Sequence, residues 1–267
     1  MNIVDKYSEE LMKNEPISYA GLVLHPLKVK EYALYRIGQD SFELMQASLS
    51  PKLARLSWFP CLDALDREIK EQTGKPGIYM PCAVKVMEAA LNLDPGSKFS
   101  AARNSQGNIS AVMIQKDAGS QPVLLNMQQM RDVREIIAAQ NGYEIPDEGW
   151  TLELYRAQKQ LQKTGDAGLK FDLEELLYSV AVNTGENAED IWEWSIKRFQ
   201  LMQKAISRKL GYMICTTAEI AAQVKFTNGN PYPDWRLPRA ADRPKGFRTL
   251  AQIEGTGGAI LNSPEIQ

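Results

Sequence analysis

A helical pattern of apolar residues at positions 187–225 constrains the fold of this chain more than any other feature of its sequence. Apolar side chains recur there every three or four residues, which places them on one face of a helix. Polar side chains such as Glu193, Lys197 and Arg208 occupy the other side. The apolar positions are Trp192, Ile196, Phe199, Met202, Ile206 and Leu210, continued by Ile214, Ala218, Ala221 and Val224. The spacing predicts one long amphipathic helix, either continuous or kinked at Gly211.

The start of this helix has clear local signals. Asn187 is a preferred N-cap residue, and Glu189 and Asp190 complement the positive end of the helix dipole in the first turn. We expect the stripe from Trp192 to Leu210 to lie mainly in the core. Trp194 falls off that stripe, so we expect its side chain to face outward.

The helical pattern ends where a segment rich in proline and glycine begins. Residues 226–267 contain five prolines and five glycines, and this composition cannot bury enough apolar surface to fold alone. Aromatic and basic side chains alternate in it, which is typical of an arm that docks on another protein, and exposed tryptophans are typical of interfaces. The partner-binding residues that we predict are Trp194, Tyr232, Trp235, Arg236, Arg239, Arg243 and Phe247.

The basic stretch at residues 236–248 leaves a second interpretation open. Arginines interleaved with aromatic rings can also contact nucleic acid through charge and stacking. The formal net charge of the whole chain is −2, however, which gives no electrostatic footprint for nucleic acid. We therefore favour a protein partner, with nucleic-acid binding as the alternative.

The middle of the chain has a different pattern. Residues 98–104, 108–115 and 122–125 favour strands, and Ser105, Gln106 and Gly107 suit a hairpin connection. This predicts a mainly α protein with a small antiparallel sheet at residues 98–125, a long C-terminal amphipathic helix and an extended tail. The expected divisions are an N-terminal α+β region at residues 1–163, a helical region at 169–225 and the tail at 226–267.

An earlier helix is predicted at residues 51–72. Pro51 suits a first turn, and Leu53, Leu56, Leu62, Leu65 and Ile69 recur at helical spacing. Pro60 lies inside this pattern and is expected to kink or split the helix, because proline lacks the N–H that the helix needs.

The composition indicates the cellular compartment in which the protein works. No apolar run approaches the ~20 residues that a membrane span requires, and residues 1–10 are acidic without the apolar core of a signal peptide. Cys61, Cys82 and Cys215 are far apart and form no C-x-x-C pair, so we interpret them as buried thiols of a reducing compartment. We expect a location in the cytoplasm, without a membrane partner.

The residues of common catalytic and cofactor sites are scarce. His25 is the only histidine, which excludes two-histidine zinc motifs, and the glycine-containing runs lack the spacing of phosphate-binding loops. Asp63 and Asp66 share a helix face and could hold a metal or serve acid–base chemistry, although solvated carboxylates on a helix are the simpler interpretation. We predict a protein that is not an enzyme, with no cofactor and no metal.

Three segments resemble a family of tail-region proteins from phages and prophages of Gram-positive bacteria. They are residues 17–32 (ISYAGLVLHPLKVKEY), 133–147 (VREIIAAQNGYEIPD) and 190–199 (DIWEWSIKRF), the last continuing to residues 224–226 and Trp235. The resemblance is to proteins similar to tail assembly chaperones, which bind the tape-measure protein and keep it soluble while the tail tube polymerises. It implies a phage assembly or structural protein, located in the host cytoplasm or in the virion. The implied partner is the tape measure or another tail component, and self-association is a further option.

Overall fold

In a computed structural model of the chain, the described residues are 3–93, 98–105, 107–116, 119–146, 172–221, 225–226, 229–232 and 234–237. Helices account for most of them, as predicted. The helices are α1 (Ile3–Lys6), α2 (Ser8–Lys13), α3 (Tyr32–Phe42), α4 (Pro51–Ala54), α5 (Trp58–Thr73), α6 (Tyr79–Ala90), α7 (Met127–Asn141), α8 (Leu173–Thr184), α9 (Ala188–Ile191) and α10 (Ile196–Ile220). The strands are β1 (Ile17–Tyr19), β2 (Leu22–Leu24), β3 (Lys98–Arg103), β4 (Ile109–Gln115) and β5 (Val123–Asn126).

The chain divides into two compact units, residues 1–200 and residues 201–267. α10 begins in the first unit and continues into the second. The predicted boundaries at residues 163–169 lie outside the described residues, and the boundary at 225–226 borders the undescribed residues 222–224, so both stay predictions. The sequence also predicts a charged, exposed helix at residues 151–162, which lies outside the described part of the chain. Within that part, no helix combines the length and apolar character needed to cross a membrane.

The predicted antiparallel sheet is confirmed, in the order β3-β4-β5. Val112 pairs with Ala101 on one side and with Leu125 on the other, and Val112 and Leu125 are fully buried. The register shifts between Ala102 and Arg103, because Arg103 pairs with Ile109 and leaves one extra residue on β4. Such a bulge reverses the alternation beyond it, so Ile109 joins Val112 and Ile114 on the buried face.

The first unit also contains a short hairpin of β1 and β2. Ala20 and Gly21 connect the strands with φ values of 49° and 81°. Two consecutive positive φ values are typical of the tight turn whose twist matches that of paired strands. The strands bury Ile17, Leu22 and Leu24 in the main core.

Aromatic side chains form the centre of that core. The ring of Phe42 lies 5.2 Å from that of Trp58 and 4.8 Å from that of Tyr143, measured between centroids. Tyr35 stacks on the opposite side of Tyr143 at 4.6 Å. Burying a side chain such as Phe42 contributes about 1.5–3 kcal/mol, so this cluster is a main source of stability for the unit.

The helix predicted at residues 51–72 is split, but not by a kink at Pro60. α4 ends at Ala54 and α5 begins at Trp58, so the break lies before the proline. Pro60 lies in the first turn of α5, where a backbone N–H has no acceptor within the helix. The missing N–H of proline therefore costs no hydrogen bond there. Because the break precedes it, Pro60 is compatible with an undistorted helix.

The long helix predicted at residues 187–225 is interrupted near its start. Asn187 caps the short helix α9 through its side chain, as expected, but α10 begins only at Ile196. The chain between them pairs with the segment before α3: Val29 N donates to the Trp194 carbonyl at 2.9 Å, and Ile196 N donates to that of Leu27, also at 2.9 Å. These long-range hydrogen bonds compete with helical ones at residues 192–195.

From Ile196 the helix continues through Gly211 to Ile220, a length of 25 residues. At ~1.5 Å per residue it spans roughly 37 Å. Gly211 therefore does not end it, and the expected extension to Lys225 is wrong because the helix ends at Ile220. Its first residues, Ile196 and Phe199, are buried in the first unit.

Candidate protein-binding surface

Apolar side chains are exposed along the part of α10 that belongs to the second unit. Leu210, Met213 and Ile214 are 45%, 52% and 68% exposed, and Ile220 is 81% exposed. The first three follow the i, i+3, i+4 spacing of neighbours on a helix surface. We call these four residues the α10 apolar face. Several large apolar groups exposed so close together are typical of a surface that another molecule covers.

A segment of the tail, residues 229–232, lies against another side of the same helix. A Cβ atom added at Gly211 would be 2.9 Å from the ring of Tyr232, so the ring packs directly on the helix backbone. Asn230 Nδ2 donates to Glu219 Oε2 at 2.8 Å, and the Tyr232 amide donates to Asn230 Oδ1 at 2.8 Å. The first contact ties the tail to the helix, and the second shapes the turn that presents Tyr232.

The tail segment and the α10 apolar face lie on different sides of the helix. At about 100° per residue, the four residues of the α10 apolar face fall within an arc of roughly 120°. Gly211 and Glu219, which contact the tail, lie outside that arc, with Gly211 about 60° beyond Ile214. The contacts of Tyr232 and Asn230 therefore leave the α10 apolar face open.

Two further predicted partner-binding residues follow in the tail. The indole of Trp235 is 44% exposed, in keeping with an interface residue. Arg236 is also exposed, and its Nη2 lies 2.9 Å from Asp234 Oδ2. This ion pair offsets part of the basic charge on which the nucleic-acid interpretation depends. Arg239, Arg243 and Phe247 lie outside the described residues.

Trp194 is not placed as predicted. Its side chain is only 7% exposed, and the guanidinium of Arg198 covers its ring at 3.8 Å from the centroid. The expected outward orientation assumed a continuous helix through residue 194. Because the chain leaves the helical path at residues 192–195, the off-stripe position turns inward. The four-residue spacing to Arg198 is the one sequence signal for this contact.

The burial predicted for the C-terminal end of the stripe is also wrong. Leu210 was expected in the core with the rest of the stripe, and it is exposed, whereas Met202 and Ile206 are half-buried. Met213 was not singled out at all. Periodicity shows that residues share a helix face but does not show which molecule covers that face.

The acidic pair Asp63 and Asp66 is engaged in structural contacts. Asp63 accepts two hydrogen bonds from Arg103, at 2.6 and 2.9 Å, and lies 3.1 Å from Arg67 Nη2. These bonds from Arg103 lower the pKa of Asp63 below its usual value. Asp66 accepts from the amides of Tyr79 and Met80, at 3.0 and 2.8 Å, and so holds the start of α6. Within the described ranges, no group of three or more His, Cys, Asp or Glu side chains is arranged to hold a metal ion.

His25 and the cysteines have simple surroundings. The His25 amide donates to the carbonyl of Ala90 at 2.6 Å, and burial lowers the pKa of its imidazole. Cys61 is fully buried, while Cys82 and Cys215 are half-buried, so the prediction of buried thiols holds only for Cys61. Burial raises the pKa of the Cys61 thiol, which makes the reactive thiolate less accessible.

Comparison with known proteins gives no relative: no family model, no curated protein and no solved structure matches this chain.

Proposed function

We propose that this chain is a non-enzymatic binding protein that uses the α10 apolar face to hold an apolar segment of another protein. The observation that carries the proposal is the exposure of Leu210, Met213, Ile214 and Ile220 on one helix. An amphipathic helix laid against a complementary apolar surface is a common mode of protein recognition. Covering these side chains would remove apolar area from water, which is the main driving force for association.

The tail supplies a second element of the proposed surface. Tyr232 and Asn230 hold it on α10, and the exposed indole of Trp235 follows within three residues of Tyr232. Tryptophan is among the residues that contribute most to binding energy at interfaces. A partner that covers the helix could therefore also contact the tail near Trp235.

The partner that we propose is a phage tape-measure protein or another tail component. The support is the sequence resemblance of residues 17–32, 133–147 and 190–199 to tail-region proteins, together with the exposed apolar face. Tail assembly chaperones keep the tape measure soluble while the tail tube polymerises, and an exposed apolar face suits that role. The chaperone role is therefore the most specific form of the proposal.

Co-expression tests this role. We expect a phage tape-measure protein to become soluble when the full chain is co-expressed and to elute with it as one complex. If the tape measure stays insoluble and no complex elutes, the chaperone role is wrong. If the chain instead forms a stable homo-oligomer that hides the α10 apolar face, self-association replaces the proposed partner.

A salt titration tests the alternative role in nucleic-acid binding. Binding through residues 236–248 would weaken steeply as salt rises, because released counterions drive such binding. The ion pair between Arg236 and Asp234 reduces the charge of this stretch, so we expect no measurable affinity for DNA even at low salt. Tight, salt-sensitive binding would favour the alternative.

A further inference from the structure

A second feature of the molecule is a cleft of about 930 Å³ within the first unit. Its walls come from the start of α5, one side of α7 and the segment between α3 and α4. They combine apolar side chains, among them Leu44, Leu56 and Ile145, with polar ones such as Gln46 and Gln128. Clefts of this size and character are typical of small-molecule sites when a few polar groups converge on them.

The most unusual polar group in this cleft is Arg134. Its side chain is 7% exposed, and its guanidinium lies over the ring of Trp58, with Cζ 5.0 Å from the centroid. Nε and Nη2 both donate to the carbonyl oxygen of Phe42. In the described part of the chain, Nη1 has no hydrogen-bond acceptor and no carboxylate forms an ion pair with the guanidinium.

Burying a cation that is not directly paired with a carboxylate is costly, because the charge loses water that would solvate it. The surroundings show this cost: burial lowers the pKa of Arg134 to about 10. The other charged residues that line the cleft, Arg131 and Glu135, pair with each other at 3.1 Å. The three charged side chains of the cleft wall therefore carry one net positive charge.

The start of α5 lies at the same wall. Ser57, the N-cap residue, lines the cleft and makes no capping hydrogen bond with its side chain. The first N–H groups of a helix have no intrahelical acceptor and favour a negative charge nearby. Trp58, whose ring lies beneath the guanidinium of Arg134, is the first residue of this turn.

We propose that the cleft binds a monocarboxylate with an apolar body, whose carboxylate pairs with Arg134 while its apolar part lies against the aliphatic wall. The net positive charge of the wall matches one carboxylate, and the aliphatic part of the lining, formed by Leu44, Leu56 and Ile145, matches a hydrocarbon chain. This site is separate from the α10 apolar face, so the proposal does not depend on the function proposed above.

Titration calorimetry of the full chain with octanoate tests the proposal, with acetate and octan-1-ol as matched probes. Octanoate carries both features, acetate lacks the apolar body and octan-1-ol lacks the charge. We expect octanoate to bind about tenfold or more tightly than either probe, because charge-assisted hydrogen bonds add to apolar burial. Equal binding of octanoate and octan-1-ol, or binding of neither, would overturn the proposal.

Two variants locate the site. Arg134→Gln removes the charge and should weaken octanoate binding about tenfold or more while leaving octan-1-ol unchanged. Because Arg134 also holds the Phe42 carbonyl, this variant could fail to fold, so Ala139→Phe serves as the second. Ala139 is a half-buried lining residue of α7, and a phenyl ring there fills the cleft and retains the charge. A folded Ala139→Phe protein that binds octanoate as the wild type does would contradict the assignment.

Discussion

The two ends of α10 differ in what covers their apolar side chains. Ile196 and Phe199 are almost fully buried in the first unit, whereas Leu210, Met213 and Ile214 are about half exposed or more in the second. All five belong to one amphipathic helix. The same pattern of residues therefore serves folding at one end of the helix and is available for binding at the other.

The polar contacts also differ between the two units. In the first unit, Asp63 and Asp66 are held by arginines and backbone amides. In the second, Asn230 and Asp234 make exposed local contacts that shape the tail. Buried polar networks specify a fold, while exposed ones contribute little to stability. We conclude that stability resides mainly in the first unit.

The largest expected effect on stability comes from a core substitution in the first unit. Phe42→Ala should lower the free energy of unfolding by roughly 3–5 kcal/mol, because Phe42 is fully buried between Trp58 and Tyr143. Leu210→Ala, the matched change on the α10 apolar face, should alter it by about 0.5 kcal/mol or less. Urea unfolding of both variants measures the difference. Similar losses for the two would mean that Leu210 belongs to a core.

An intermediate effect is expected at Asp63. Asp63→Asn should cost roughly 1.5–3 kcal/mol near neutral pH, because it weakens charged hydrogen bonds from Arg103. Glu71→Gln, on the exposed end of the same helix, should cost little.

The effect of Asp63 should depend on pH in a defined direction. Its pKa is lowered in the folded protein from a usual value of 3.8, so its stabilisation is fully present above that value. It is lost as pH falls through the folded pKa. The difference between wild type and Asp63→Asn should therefore shrink below about pH 3.8. A difference that stays constant through this range would contradict the ion-pair account.

A smaller effect tests the contact between the tail and the helix. Alanine is favoured over glycine inside a helix by about 1 kcal/mol. At Gly211, however, the new methyl group would meet the Tyr232 ring. Gly211→Ala should therefore stabilise a Tyr232→Ala protein more than the wild type, with a coupling of about 0.5–1 kcal/mol in a double-mutant cycle. Additive effects would show that Tyr232 does not pack on Gly211 in solution.

Local sequence signals were enough for much of the fold. The three-stranded sheet was predicted from alternating apolar residues and a glycine-containing connection, and the cap at Asn187 from residue type alone. The break at residues 192–195 was not predictable in this way. It depends on hydrogen bonds to residues 27–30, more than 160 positions earlier in the chain.

The candidate site was harder to predict than the fold. The exposed position of Trp235 agrees with the sequence analysis, but Trp194 is buried because the break turns it inward. Of the α10 apolar face, only Leu210 was assigned to the core from the sequence, since helical periodicity is the same for a buried stripe and an exposed one. Arg134 lies within an apolar stripe of α7. A charged residue among apolar ones was the one signal in the sequence that a polar group faces the interior there.

The most direct test of the account is a comparison of partner binding by two variants of α10. Met213→Glu/Ile214→Glu places charges on the α10 apolar face, and Lys204→Glu makes the same change in net charge at an exposed position elsewhere on the helix. Both should alter the free energy of unfolding by only about 0.5 kcal/mol. Co-purification with the tape-measure protein should be lost in the double variant and retained in Lys204→Glu. Retention of the partner by a folded Met213→Glu/Ile214→Glu protein would contradict the claim that this face is the binding surface.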